Sequence, residues 1–96
     1  MRYTVQVDPR AARDLRKLSK VARARVKNGI ERLTVGLSSD CRKLAGYANL
    51  YRLRVGEYRI AFSRDRGKLT ILVIQVGHRR EIYRKLRLLL TRGQRR

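Results

Sequence analysis

Two short stretches of this chain carry side chains suited to chemistry on a phosphate. The first is Leu50-Tyr51-Arg52-Leu53-Arg54-Val55, followed after Gly56-Glu57 by Tyr58-Arg59-Ile60-Ala61-Phe62. The second is Gly77-His78-Arg79-Arg80-Glu81-Ile82-Tyr83. Arginine presents a planar fork of donors that matches phosphate oxygens and stays charged at any working pH. His78 is the only imidazole in the chain, and imidazole is the side-chain type that exchanges a proton near neutrality. Tyr83 adds a phenolic hydroxyl able to donate and accept.

Arginines with one His and one Tyr suit a phosphoryl transfer that uses an RNA's own 2′-hydroxyl. A base removes that proton, the oxygen attacks the adjacent phosphorus, and cations stabilise the charge that gathers in the transition state. An acid then protonates the departing 5′ oxygen. No metal-activated water is needed, and DNA lacks the nucleophile. Carboxylate chemistry fits less well, because Asp8, Asp14, Glu31, Asp40, Glu57, Asp65 and Glu81 show no pairing along the sequence. Neither G-x-G-x-x-G nor G-x-x-x-x-G-K-[ST] occurs, so the glycine loops that cradle nucleotide phosphates are missing. Blander readings stand beside these. Arg52, Arg54 and Arg59 can be a solvated strand face in a chain with 20 arginines. His78 can be an exposed bystander and Tyr83 a core residue. Arg79 and Arg80 can be solvated charges, although cations at a helix start oppose its dipole.

The elements that must position these residues are legible in the pattern. Tyr3 to Val7 alternates with period two and predicts a strand. Asp8-Pro9 then marks a helix start, with Asp8 as cap and Pro9 in the first position. Ala11, Leu15 and Leu18 give this helix a short apolar stripe. From about Lys20 a second helix carries Ala22, Val26, Ile30, Leu33 and Leu37 on one face. Gly36 and Ser38-Ser39-Asp40 end it, and a loop with Gly46 follows. Leu50 to Val55, Tyr58 to Phe62 and Leu69 to Val76 predict strands. The last has Leu72, Ile74 and Val76 on one face and Ile71 and Val73 on the other, as a central strand should. A final helix is expected to align Ile82, Leu86, Leu89 and Leu90. The order β-α-α-β-β-β-α is an α+β fold: an N-terminal helical hairpin packed on a small, mainly antiparallel sheet. One domain is expected over residues 1–96, with a basic tail at 92–96.

Register gives the arginines a common direction. Gly first in a two-residue loop suits a type II′ hairpin. Val55 then pairs with Tyr58, Arg54 with Arg59, Leu53 with Ile60, Arg52 with Ala61 and Tyr51 with Phe62. Side chains alternate faces along a strand. Tyr51, Leu53, Val55, Tyr58, Ile60 and Phe62 therefore face the core, and Arg52, Arg54 and Arg59 emerge on the opposite side. Arg54 directly opposite Arg59 is an unfavourable like-charge pair unless an anion joins it.

Composition sets the limits. Leu, Ile, Val and Phe number 27 of 96 residues, above the roughly 20% floor under which highly charged chains stay disordered. Twenty-six Lys and Arg against seven Asp and Glu give a formal net charge of +19. Such a surface points to a polyanionic partner, nucleic acid first. A single cysteine, Cys41, leaves no internal disulfide and fits a reducing compartment. The longest apolar run is Ile71 to Ile74, far short of the ~20 residues that span a bilayer, and the N-terminus has no apolar signal core. The chain reads as cytoplasmic, with no cofactor, no metal and no membrane contact.

Taken in order, Y-T-V-x-V-D-P-R-A-x-R-D-L-R-K-L from Tyr3, K-L-A-G from Lys43 to Gly46, L-Y-R-L-R-V-G-E-Y-R-I from Leu50 to Ile60 and V-I-Q-V-G-H-R-R-E-I-Y from Val73 to Tyr83 resemble the RelE/ParE toxin superfamily, its RelE-like branch above all. The resemblance spans about residues 2–86. It implies a toxin of a type II toxin–antitoxin pair, a ribosome-dependent endoribonuclease (an mRNA interferase) that cuts messenger RNA in the A site. It also implies an acidic, RelB-like antitoxin that wraps and inactivates the toxin, with operator DNA bound only through the antitoxin. The family's functional positions fall on Arg52, Arg54, Arg59, Arg79 and Tyr83, and His78 matches an H-R-x-x-x-Y variant of the last segment. Some RelE proteins have lysines at the positions of Arg52 and Arg54. Arginine effectively cannot release its proton, so charge stabilisation is the role left to that pair, and base and acid fall to Tyr83 and His78 in either order.

Two other functions remain open at this point. A ParE-type toxin that poisons DNA gyrase shares the fold without needing these arginines. A non-catalytic RNA-binding module is the third reading; against it, Tyr51, Tyr58 and Phe62 are expected to face inward, leaving no exposed stacking platform. The apolar stripe of the last helix suits either an antitoxin's amphipathic helix or the protein's own sheet.

Overall fold

The computed structural model describes residues 2–94. Along the chain run β1 (Thr4–Val7), α1 (Pro9–Arg16), α2 (Lys20–Arg32), β2 (Cys41–Lys43), β3 (Leu50–Val55), β4 (Tyr58–Asp65), β5 (Thr70–His78) and α3 (Ile82–Gln94). A single 3₁₀ turn, Leu33–Val35, follows α2. The five strands form one sheet in the order β1-β5-β4-β3-β2. The β1–β5 pair is parallel and the others are antiparallel.

Both N-terminal helices start on side-chain caps. Asp8 Oδ1 accepts the Arg10 N–H at 2.9 Å, with Pro9 at the first helical position where its missing N–H costs nothing. Ser19 Oγ accepts the Ala22 N–H at 3.2 Å. Arg23 ties the two helices together, donating to the carbonyls of Leu15, Arg16 and Leu18. The helical turn tightens after Arg32, and Gly36 at φ 132 takes a conformation closed to other residues.

The hairpin register is as the alternation requires: Val55 pairs with Tyr58, Arg54 with Arg59, Leu53 with Ile60, Arg52 with Ala61 and Tyr51 with Phe62. Gly56 has φ 56, while Glu57 is not among the residues of positive φ, the signature of a type II′ turn. One face of the sheet is covered by α1 and α2. There Ala11, Leu15, Val26, Ile30 and Leu33 pack on Leu53, Ile60, Phe62, Ile71, Val73 and Val76. Tyr51 stacks on Phe62 at 5.5 Å. The opposite face is covered by α3, whose Ile82 and Leu86 pack on Leu50 and Ala61. The apolar stripe of the last helix thus docks on the protein's own sheet.

Five details depart from the sequence expectations. Helix α2 ends at Arg32, so Leu33 falls in the 3₁₀ turn and Leu37 lies beyond Gly36, outside the helix that the spacing predicts for both. The segment read as a loop before Leu50 contains β2, which pairs Cys41 with Leu53, Arg42 with Arg52 and Lys43 with Tyr51. Val76 lies with Ile71 and Val73, not with Ile74, because the ladder to β4 slips between Ala61 and Phe62. The extra residue on β5 reverses the phase of the alternation. Strand β4 continues to Asp65, so the turn is confined to residues 66–69. In the expected basic tail, residues 92–94 continue α3, and residues 95–96 lie outside the described residues.

Candidate functional site

The β3–β4 hairpin delivers Arg52, Arg54 and Arg59 to the face of the sheet that α3 covers. Arg54 and Arg59, though directly opposite, turn to different acceptors. The Arg54 guanidinium donates to Asp40 Oδ1 at 3.1 Å. Arg59 donates to the carbonyls of Gly56 and Tyr58 at 2.8 and 2.9 Å. This divergence relieves the like-charge contact, Arg54 turning toward the start of β2 and Arg59 toward the hairpin turn. Arg52 is half-buried, and its Nε is enclosed without a hydrogen-bond acceptor among the described residues.

The hairpin turn is fastened to the segment after β5. Arg79 donates through its backbone N–H to the Glu57 carbonyl at 2.7 Å and through Nε to Glu57 Oε1 at 3.0 Å. His78 Nε2 stands 3.6 Å from the same carboxylate oxygen, and its Nδ1 accepts the Arg80 N–H at 3.3 Å. With Nδ1 accepting, the proton of the neutral ring belongs on Nε2, facing Glu57. His78 also meets the Tyr58 ring edge-on at 6.2 Å.

The six sequence-derived candidates do not share one cavity. Arg54, Arg59 and Arg79 line a cleft of about 570 Å³. His78 lines a separate recess with Asp14, Lys17, Tyr58 and Lys85. Tyr83, in the first turn of α3 and 46% exposed, is not a core residue. It lines a third depression with Leu44, Ala45, Tyr47, Leu86 and Arg87. Arg52 lines none of these. It shares a sheet face with Ala61, which packs on Ile82 beside Tyr83.

Sequence reasoning passed over three residues. Arg25 and Arg32 of α2 line the arginine cleft from its far wall; their only signal was a seven-residue spacing about Gly29. Tyr47 joins Tyr83 as a second exposed tyrosine, while Tyr51, Tyr58 and Phe62 pack inward as expected. Among the described residues, no group of three or more His, Cys, Asp or Glu side chains gathers where a metal ion could sit. No helix among them is long and apolar enough to cross a membrane.

An arginine-lined cleft beside a β-hairpin, on a five-stranded sheet with helices on both faces, defines a small basic α+β protein. The model of the ParE toxin of type II toxin–antitoxin systems (parDE) matches residues 5–83. Toxin RelE3 of Methanocaldococcus jannaschii is 45% identical over 47 residues, 49% of this chain and 51% of that protein, so the chain spans about half the length of that relative. Among solved structures, the toxin–antitoxin complex RelBE2 from Mycobacterium tuberculosis superimposes with a TM-score of 0.74 at 28% identity, covering 81% of this chain and 99% of the matched chain. The RelB–RelE antitoxin–toxin complex from Methanococcus jannaschii gives a TM-score of 0.68 at 32% identity, covering 82% and 95%. The chain therefore belongs to the ParE toxin family of type II toxin–antitoxin systems, in the RelE-like branch of the RelE/ParE superfamily.

Proposed function

We propose that this protein is the toxin of a type II pair and a ribosome-dependent endoribonuclease, cutting messenger RNA in the A site without a metal ion. The observation that carries the proposal is the convergence of Arg54, Arg59 and Arg79 on one cleft. Their guanidiniums bind the scissile phosphate and stabilise its growing charge. Arg52, half-buried on the same sheet face, adds positive charge there. The 2′-oxygen gives its proton to one of His78 and Tyr83 and bonds to phosphorus. The bond from phosphorus to the 5′ oxygen breaks, and the other residue protonates that oxygen. The products are a 2′,3′-cyclic phosphate and a 5′-hydroxyl. His78 and Tyr83 lie in recesses apart from the arginine cleft, so their side chains must turn toward the one phosphate that the arginines hold. The ribosome's role is to present that phosphate where all of them reach it. That is the physical reason for expecting no cleavage of naked RNA.

The partner that silences the toxin is an acidic, RelB-like antitoxin, and operator DNA is reached only through it. A net charge of +19 favours that pairing. The α3 stripe contributes little, because Ile82 and Leu86 are already buried at home. The test is cleavage on ribosomes stalled with a defined A-site codon, with EDTA-treated toxin, magnesium supplied for the ribosome, and naked messenger as control. Cuts confined to the A-site codon are expected. Intact messenger from folded toxin would overturn the proposal. A second reading, a non-enzymatic inhibitor of DNA gyrase, is favoured by the match to the ParE toxin model over residues 5–83. It requires trapped gyrase–DNA cleavage complexes and an uncut messenger.

A further inference from the structure

The arginine cleft has two walls, and only one is explained by the hairpin. The other is α2, which contributes Arg25, Gly29 and Arg32. Arg25 and Arg32 are exposed and have no carboxylate within 4.0 Å among the described residues. The cations of the hairpin wall behave otherwise: Arg54 is held by Asp40, Arg79 by Glu57 and Arg59 by two carbonyls. Gly29 sets the spacing of the walls. A Cβ there would stand 2.7 Å from Val55 Cγ2, so its absence lets α2 lie directly against β3. Arg25 and Arg32 flank that contact at i−4 and i+3, on the side that opens onto the cleft.

At about 570 Å³ the cleft is far larger than one phosphate requires. Every cation lining it is arginine, although the chain also holds six lysines. Two helical turns, about 10.5 Å, separate Arg25 from Arg32 along the axis. They are placed to meet different points along an extended polyanion. We infer that α2 is the second wall of a binding cleft for the sugar–phosphate backbone of single-stranded RNA, with Arg25 and Arg32 holding phosphates that neighbour the one gripped by Arg54, Arg59 and Arg79. The identity of the ligand rests on the RNA reading above; the cleft does not depend on cleavage. Asp40 and Glu57 also line it and leave a net charge of +3 from five arginines and two carboxylates. Those carboxylates repel an acidic peptide as they repel RNA, so it is the run of arginine forks along two walls that favours phosphates in series.

The test uses a labelled 2′-O-methyl RNA hexanucleotide, which cannot be cut, titrated with the whole protein across a salt series. Three proteins are compared: wild type, R25A/R32A, and R13A/R66A, which removes equal charge from exposed positions outside the cleft. Each lost phosphate contact on a single strand lowers the slope of log K against log salt by about 0.7. A drop of about 1.4 is expected for R25A/R32A and a clearly smaller one for R13A/R66A. Equal slopes for the two double variants would overturn the inference. A hexaglutamate peptide is titrated in parallel. Loss of peptide binding alone in R25A/R32A would make the cleft a carboxylate site and likewise overturn it. R25K/R32K, which keeps charge without the fork, is expected to fall between wild type and R25A/R32A. The steep slope loss, seen with protein that leaves A-site messenger intact, would uphold the cleft and overturn only the cleavage proposal.

Discussion

Asp14 on α1 and Lys85 on α3 meet at 3.4 Å across the edge of β5, joining helices from opposite faces of the sheet. Strand β1 pairs with β5 only as far as Val73, so beyond it the edge of β5 is bare. Asp14 takes the place of the missing strand. Its Oδ2 accepts the Val76 N–H at 3.1 Å and the Gln75 amide at 2.8 Å. The Asp14 side chain is only 11% exposed, so these donors have little water to turn to. Asp14→Ala is expected to cost about 2–4 kcal/mol, the usual result of stranding buried donors and a half-buried cation. For a domain of this size each kcal/mol lowers Tm by about 4–8 °C. Lys85→Met, which leaves Asp14 its two neutral donors, is expected to cost less than half as much. Thermal unfolding checks both, and an unchanged Tm for Asp14→Ala would remove Asp14 as the link.

Gly29 sits in the middle of α2, where glycine costs roughly 1 kcal/mol relative to alanine. Gly29→Ala nonetheless should lower stability, by about 1–2 kcal/mol net, because the new methyl must displace the stiff β-branched Val55 from 2.7 Å. The check is a double-mutant cycle in urea with Val55→Ala. Coupling is expected, the double variant being more stable than the sum of the single losses implies. Strict additivity would mean that the two residues do not set each other's position.

The same two contacts show what the sequence reveals and what it withholds. The β3–β4 register follows from two local facts, period-two alternation and a Gly-led two-residue turn, so the common face of Arg52, Arg54 and Arg59 was readable. Strand β2 was not, because Cys41-Arg42-Lys43 is too short to alternate and exists only through pairing with β3. The bulge that moves Val76 has no residue signature of its own. Asp14 looked like any polar helix residue, since its partners lie 61 to 71 positions away. The distribution of Arg79, His78 and Tyr83 over three recesses was hidden for a related reason. They are close in sequence, but the chain turns from strand to helix between them, and that turn points successive side chains in different directions.

Glu57 is one of two carboxylates lining the arginine cleft, held by Arg79 at 3.0 Å and facing His78 at 3.6 Å. Any phosphate that Arg79 is to bind competes with it. Glu57→Gln should tighten binding of the uncleavable hexanucleotide several-fold at low salt, with the gain shrinking as salt rises. Stability should change by less than about 1 kcal/mol, because the pair is exposed and screened. The backbone bond from the Arg79 N–H to the Glu57 carbonyl survives the substitution. Fluorescence anisotropy reads the affinity. Weaker binding by Glu57→Gln would show that the carboxylate orients Arg79 for the ligand instead of competing with it.

His78 and Tyr83 are separable by variants that respect their contacts. Tyr83 is 46% exposed and contributes little to the core, so Tyr83→Phe should leave Tm within about 4 °C of wild type, as surface changes of under 0.5 kcal/mol do. If its hydroxyl moves a proton, A-site cleavage should fall by about 10²–10⁴-fold. His78 has a structural task as well, since Nδ1 accepts the Arg80 N–H that opens the turn into α3. Asparagine can keep that acceptor with its side-chain oxygen, while alanine cannot. His78→Asn should therefore retain stability and lose cleavage if the ring moves a proton. If the ring only holds the turn, His78→Asn should cleave nearly as wild type does and His78→Ala should fail. Single-turnover rates on stalled ribosomes, set beside the melting temperatures of the same preparations, decide between the two. Full activity in Tyr83→Phe would leave His78 and the 2′-hydroxyl's own surroundings to account for both proton transfers.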